Sequence, residues 1–357
     1  MSRNITDALT DVLADITEHG SLVVARGQEQ REVLSALVQI DRPTERVLTI
    51  PKRNNNIFAQ IAETLWVLAG RNDLAFLTRY LPRAVDFSDD GATWRAAYGP
   101  RIRAWNQRVD QLTTVKARLD EDPNTKRAVI SIFDPGQDHV ETKDVPCNNW
   151  LHFMHRDGKL HLNVAVRAND AIWGFSGINF FEWSVLQELM ATATGNQVGS
   201  LAWFVGTIHL YSRHYATAER ILQSRGIKSC YEFGIETQPI TIGLDELDDE
   251  LPKVFLTEDL ARHGDHLGAA RHTSDISDPF FRSSAVMLRA YNAVLQDDKQ
   301  NALRIIEELP VCDFRIAALE FLARKWHTRN LINLHRKERE YLHYYWALND
   351  TTNAIAA

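Results

Sequence analysis

The stretch between residues 127 and 194 constrains the fold more tightly than any other part of the chain. It opens with residues 127–133 (Arg-Ala-Val-Ile-Ser-Ile-Phe), whose β-branched content suits a buried strand. Asp134-Pro135-Gly136 ends that run with turn chemistry. Between residues 150 and 166 two more strands are expected, flanking the hairpin turn Arg156-Asp157-Gly158-Lys159. Residues 180–194 then read as a long apolar helix. Strands and an apolar helix in one continuous stretch point to an α+β fold.

The flanking segments extend this pattern. Ile5, Leu9, Val12, Leu13 and Ile16 recur at helical spacing over residues 5–18, with Thr6 or Asp7 as the cap. Residues 45–50 (Glu-Arg-Val-Leu-Thr-Ile) read as a strand, and Ile57, Ile61, Leu65 and Leu68 trace a helix ending at Gly70. Residues 83–100, with Gly91, Gly99 and Pro100, read as loop, and residues 200–204 begin a further element. The acidic stretch 245–250, followed by Pro252, marks the expected boundary. Beyond it the apolar pattern is helical, notably over 285–295 and 302–309. The expected division is a domain at 1–243 and a mainly helical extension at 244–357.

Composition narrows the partners. The 357 residues are 45% hydrophobic and 24% charged, ordinary values for a globular chain. A formal charge of −7 gives no electrostatic attraction to a nucleic-acid polymer, although a local arginine cluster can still hold a small anion. Cys147, Cys230 and Cys312 are odd in number and widely spaced, so they form neither a disulfide framework nor a paired-cysteine metal site. The opening residues lack the basic-then-apolar order of a secretion signal, and no run of about 18 apolar residues suggests a membrane span. A cytoplasmic location is expected, with no membrane partner.

Two segments carry chemistry. In Val145-Pro146-Cys147-Asn148-Asn149-Trp150 a cysteine stands just before a strand. A lone cysteine is usually a small buried apolar residue, whereas a nucleophile needs thiolate character from nearby cations. Arg167 can supply it, at the head of Arg167-Ala168-Asn169-Asp170-Ala171-Ile172-Trp173-Gly174. Neither segment settles anything alone. Together, and in this order, they resemble the thymidylate synthase family. Pro146-Cys147 resembles its nucleophile motif, and Arg167-x-x-Asp170-x-x-x-Gly174 its arginine–aspartate motif. Asn179 stands where the family reads the base, and His209-Leu210-Tyr211 resembles its sugar-binding pair. Lys52-Arg53 with Glu63-x-x-Trp66 match the helix of the catalytic glutamate, Ala97-Tyr98-Gly99 matches the characteristic tyrosine, and Arg26 matches an early phosphate-binding arginine. The matches span roughly residues 20–215.

The resemblance implies a thymidylate-synthase fold, a mixed sheet packed with helices that dimerises through the sheet. It also implies a reaction in which the Cys147 thiolate adds to pyrimidine C6 and turns C5 into a nucleophile. The implied one-carbon donor is 5,10-methylenetetrahydrofolate. Glu63, Tyr98 and Asn179 would manage protons and the base, with His209 completing the proton network. His209, Tyr211 and Ala168 would border the sugar, and Asp170 would hold the pterin. Arg26 and Arg167 would grip the phosphate with Lys126 and Arg127 of a partner subunit, in a homodimer with shared active sites.

Departures from the family pattern bear on the last step. Around Val85-Asp86-Phe87-Ser88 no tryptophan stands where the family carries a folate-facing wall. Ala168 replaces a serine, Lys126 an arginine, and Asn148 a histidine. Gly174-Phe175-Ser176-Gly177-Ile178-Asn179 is one residue longer than the family spacing, and the tail Thr-Thr-Asn-Ala-Ile-Ala-Ala follows a long extension. Weaker water exclusion favours a hydroxymethyl product over a methyl one. Ala168 and Lys126 resemble the cytidylate hydroxymethylases of nucleoside-antibiotic biosynthesis such as that of mildiomycin. They place CMP first among substrates, then dCMP, then dUMP. Methylation of dUMP, hydroxymethylation of dUMP, and a non-enzymatic binding module are the alternatives. His152, His155 and His161 lack metal-ligand spacing, so no metal is expected.

Overall fold

The computed structural model describes residues 1–224 and 226–354. They form two compact units, one of Met1–Arg46 with Ala62–His214, the other of Val47–Ile61 with the chain from Tyr215 onward.

The first unit is α+β. Its six strands are β1 (Ser21–Ala25), β2 (Gln28–Ile40), β3 (Val129–Ser131), β4 (Asn148–Arg156), β5 (Lys159–Asp170) and β6 (Gln197–Tyr211). They lie in the order β1-β2-β6-β5-β4-β3, antiparallel except for the β5–β6 pair. Alternation along β5 puts Leu160, Leu162, Val164 and Val166 on the covered face. A parallel β5–β6 pair requires a crossover, and the helix Phe180–Ala193 supplies it. That helix is buried around most of its girth, which is why its sequence is apolar without a helical stripe. Two of its polar side chains pair with other elements: Glu188 with the buried Arg46, and Gln187 Nε2 with the carbonyls of Leu160 (2.9 Å) and Gly199 (3.1 Å). The helix Ile5–His19 buries Ile5, Leu9, Val12, Leu13 and Ile16 as its spacing predicts, but Asn4 is its cap, accepting from the amides of Thr6 and Asp7.

One register row crosses the sheet on the opposite face: Ser131, Trp150, Ala165, Phe204 and Leu37 are successive Cα partners. In it Trp150, Phe204 and Leu37 are 36%, 43% and 55% exposed.

The β1–β2 hairpin was not legible in the sequence. Its turn sits at Arg26-Gly27, both at positive φ (49° and 73°), and the charges of Gln28-Glu29-Gln30-Arg31-Glu32 mask the strand pattern. Residues 83–100 include a short 3-10 helix, Pro82–Phe87, and the start of the helix Tyr98–Arg103.

The second unit is mainly helical, with helices Leu244–Arg262, His266–Ser274, Pro279–Leu295, Lys299–Ile306, Asp313–Trp326 and Arg336–Ala354. The acidic stretch 245–250 is the opening of the first of these, and Pro252 lies inside it. Residues 45–50 are not a strand. Side chains take up their backbone groups instead of a ladder: Tyr231 Oη accepts from Val47 N (3.0 Å), Asn55 Nδ2 donates to Leu48 O (3.2 Å) and Tyr341 Oη to Thr49 O (3.1 Å). Phe58 stacks on Tyr291 and meets Phe321 edge-on, which ties residues 47–61 to this unit. Arg315 and Glu338 form a buried ion pair at 2.7 Å. Among the described residues, no helix is long and apolar enough to cross a membrane.

Candidate active site

Cys147 lies immediately before β4, partly exposed. Arg167, on the neighbouring strand β5, clamps this loop. Its backbone amide donates to Cys147 O (2.9 Å), its Nε to Pro146 O (3.0 Å) and its Nη2 to Val145 O (2.7 Å). The exposed Arg26, lifted on the β1–β2 turn, lies close enough for its charge to act on Cys147, Asp144 and Tyr211. Burial pushes the Cys147 thiol up; Arg167 and Arg26 pull against it, and Asp144 adds to the rise. The two arginines are therefore what favours a thiolate here, opposed by the low polarity around the sulfur.

Tyr98 opens the short helix Tyr98–Arg103. Its hydroxyl accepts from Asn148 Nδ2 (2.7 Å), and Asn148 Oδ1 accepts from Trp183 Nε1 (3.1 Å). The fully buried Asn148 thus links the tyrosine to the crossover helix in place of a histidine. Gly99 is needed beside it, because a Cβ there would meet Arg71 O at 2.8 Å and Arg71 N at 2.9 Å. Burial raises the Tyr98 hydroxyl well above its usual range, and the charges of Cys147, Glu182 and Asp144 add to the rise.

Asn179 closes a nine-residue π-helix, Ala171–Asn179. The wider i→i+5 turn absorbs the residue by which this segment exceeds the family spacing. Asp170 caps it, Oδ1 accepting from Ile172 N (2.8 Å) and Trp173 N (3.3 Å). Asn179 Oδ1 accepts from Asn169 Nδ2 at 3.1 Å, and Asn179 Nδ2 donates to Glu182 Oε2 at 3.2 Å. Gly174 makes room for this: a Cβ there would lie 2.4 Å from Asn169 Nδ2 and 3.4 Å from Asn179 Oδ1. Glu63, on the helix Ile57–Leu68, is buried, and burial pushes its carboxyl up to about 8. Glu182 is raised well above its usual range, by burial first and then by Glu63. At neutral pH the Glu63 carboxyl is held protonated.

His209 and Tyr211 lie two residues apart on β6, rings 5.0 Å apart edge to face, and Arg213 covers Tyr211 at 4.1 Å. Asp170 is the Cα partner of His209 across β5–β6. Burial lowers the His209 imidazole, which leaves it neutral. Ala168 faces Thr207, whose hydroxyl donates to Glu32 (2.6 Å). Lys126 and Arg127 are exposed beside the start of β3.

Sequence reading missed Asp144, Asn169, Glu182 and Trp183. Glu182 had a signal, a carboxylate inside an apolar helix, whereas the others had none. It also missed an aromatic pair: Phe87 stacks on Trp94 (5.6 Å, 8° between planes), and Trp94 Nε1 donates to Asp144 Oδ2 (2.8 Å).

Known proteins resemble this chain over most of its length. The thymidylate synthase family model matches residues 7–246. A protein of Bacillus phage SP01 named deoxyuridylate hydroxymethyltransferase is 31% identical, over 90% of this chain and 92% of its own length. One of the same name from Pseudomonas phage M6 is 30% identical over 91% and 93%. A third, from Delftia phage PhiW-14, is 38% identical over 52% and 54%. The chain belongs to the thymidylate synthase family and is a one-carbon transferase.

Proposed function

We propose that this enzyme hydroxymethylates C5 of deoxyuridylate. The observation that carries the reading is the set around Cys147: a cysteine under the charges of Arg26 and Arg167, with Tyr98 and a carboxyl-bound Asn179 in the same unit. The relatives' printed names favour deoxyuridylate, so dUMP moves ahead of CMP, which rested on Ala168 and Lys126 alone.

Arg26 and Arg167 would bind the nucleotide phosphate, since guanidinium forks match its oxygens. The Cys147 thiolate would add to C6, placing the electron pair of the C5–C6 double bond on C5 as Tyr98 and Glu63 handle protons. Glu63, protonated at neutral pH, is suited to donate toward the base carbonyl as that charge develops. His209 and Tyr211 would border the sugar, beside Ala168.

The residues present fit a folate. Asp170 keeps Oδ2 without a donor among the described residues, an acceptor for a pterin N–H. Trp173, 54% exposed, and the Phe87–Trp94 stack offer flat apolar surface. When bound, 5,10-methylenetetrahydrofolate supplies the one-carbon unit at the oxidation level of formaldehyde. C5 would bond to that carbon, and as C5 gives up its proton the carbon's bond to the folate nitrogen would break, releasing tetrahydrofolate and leaving an exocyclic methylene on the base. Water adds there as the C6–S bond breaks, leaving CH₂OH and returning the Cys147 thiolate.

The exposed row of Trp150, Phe204 and Leu37 is the surface through which two copies would pair, bringing the exposed Lys126 and Arg127 of one to the phosphate site of the other. Release of tritium from C5 of dUMP without folate tests the Cys147 step. Wild type should release it and Cys147→Ser should not. Equal release from both would remove Cys147 from the reaction.

A further inference from the structure

The family pattern accounts for Asn179 but not for the groups that hold it. A primary amide can present its two ends in either order, and uracil and cytosine demand opposite orders. Uracil offers O4 as acceptor beside N3–H as donor; cytosine offers an N4 donor beside an N3 acceptor. Asn179 is gripped at both ends. Its nitrogen donates to Glu182 Oε2 (3.2 Å), and its oxygen accepts from Asn169 Nδ2 (3.1 Å). One N–H and one lone pair remain for the base, in fixed order. Asn169, whose own oxygen is buried with no partner among the described residues, could turn over with it, but turning the Asn179 amide would set its oxygen against Glu182 Oε2, two acceptors facing each other.

We propose that Glu182 is a positioning residue that fixes the orientation of Asn179 and thereby sets the preference between uracil and cytosine. Glu182 is 2% exposed, and its second oxygen, Oε1, is buried with no partner among the described residues. A structural carboxyl in an apolar helix would have both oxygens satisfied. Leaving one bare costs stability, and the position is occupied by a residue whose other oxygen faces the base-reading amide. Glu182 also lines a small cavity with Thr64, Ile102, Leu112, Trp183 and other residues. Asn179 would otherwise hold its orientation through Asn169 alone.

This inference rests on the reading of the chain as a pyrimidine C5 transferase, not on which base it prefers. The test compares tritium release from C5 of dUMP and of dCMP by wild type, Glu182→Gln and Glu182→Met, with Glu182→Ser as a second truncation. Circular dichroism identifies the variants that fold. Gln keeps an oxygen able to accept from Asn179 and should retain the wild-type ratio. Met and Ser lose that acceptor, and the ratio should fall about tenfold, mainly through better use of the disfavoured base. A truncated variant slowed equally on both bases, with its ratio intact, assigns Glu182 a purely structural part and overturns the proposal. Wild type that prefers dCMP would overturn the deoxyuridylate reading, while erosion of that preference in Glu182→Met would still support the part given to Glu182.

Discussion

Glu63 shows how a single residue couples stability to chemistry. Its carboxyl titrates near 4.5 in an exposed chain and near 8 in the fold, because burial disfavours the charge. Its contribution to stability is complete below about pH 4.5 and is lost as pH rises toward about 8, since the unfolded chain ionises first. Glu63→Gln keeps the shape without the titration. Its melting temperature should vary less than that of wild type between about pH 5 and about pH 8, and its turnover should fall roughly 10²–10⁴-fold. A melting profile parallel to wild type would place Glu63 in contact with solvent. Cys147, Glu63, Tyr98, Arg167 and Asp170 were named through the family resemblance, which rests on chemically distinctive residues in one order. Asn169 and Trp183 act through Asn179 and Asn148, ten and 35 residues away, so no local pattern announces them, whereas Glu182 showed only as a carboxylate inside an apolar helix.

At the scale of elements, the π-helix Ala171–Asn179 is the feature that spacing could hint at but not resolve. The extra residue was visible; that the backbone would take it up by widening its turns depended on Asp170 capping one end and Phe180 continuing the helix at the other. Gly174 lies inside it for lack of room beside Asn169. Gly174→Ala should preserve the circular dichroism spectrum yet lower C5 tritium release at least about tenfold, equivalent to about 1.4 kcal/mol, by pushing the Asn169 amide off Asn179. Wild-type release in this variant would show that the Asn169–Asn179 bond is dispensable. The strand expected at 45–50 fails for the converse reason. Its composition suits a strand, but hydroxyl and amide groups of Asn55, Tyr231 and Tyr341 bind its backbone, and those residues are far away in the chain or carry no pattern.

For the whole molecule, the α+β class and the helical C-terminal region were readable from periodicity, whereas the division of the chain was not. Residues 47–61 join the second unit through Phe58 and through backbone bonds that no composition shift marks. The second unit rests partly on the buried Arg315–Glu338 pair, so Arg315→Ala should destabilise it by about 3–5 kcal/mol, measured by denaturant unfolding, because Glu338 would be left buried and unpaired. In the dimer proposed above, the exposed row of Trp150, Phe204 and Leu37 is the interface. Phe204→Asp should sediment as a monomer and lose nucleotide affinity, while a variant that stays dimeric would place the interface elsewhere.

The most direct measurement of the central claim offers the purified enzyme 5,10-methylenetetrahydrofolate with dUMP, dCMP, UMP and CMP in parallel, and weighs the products. The account predicts a gain of CH₂O on dUMP with tetrahydrofolate released. A methyl group on dUMP with dihydrofolate appearing, or a hydroxymethyl group confined to CMP, would contradict it.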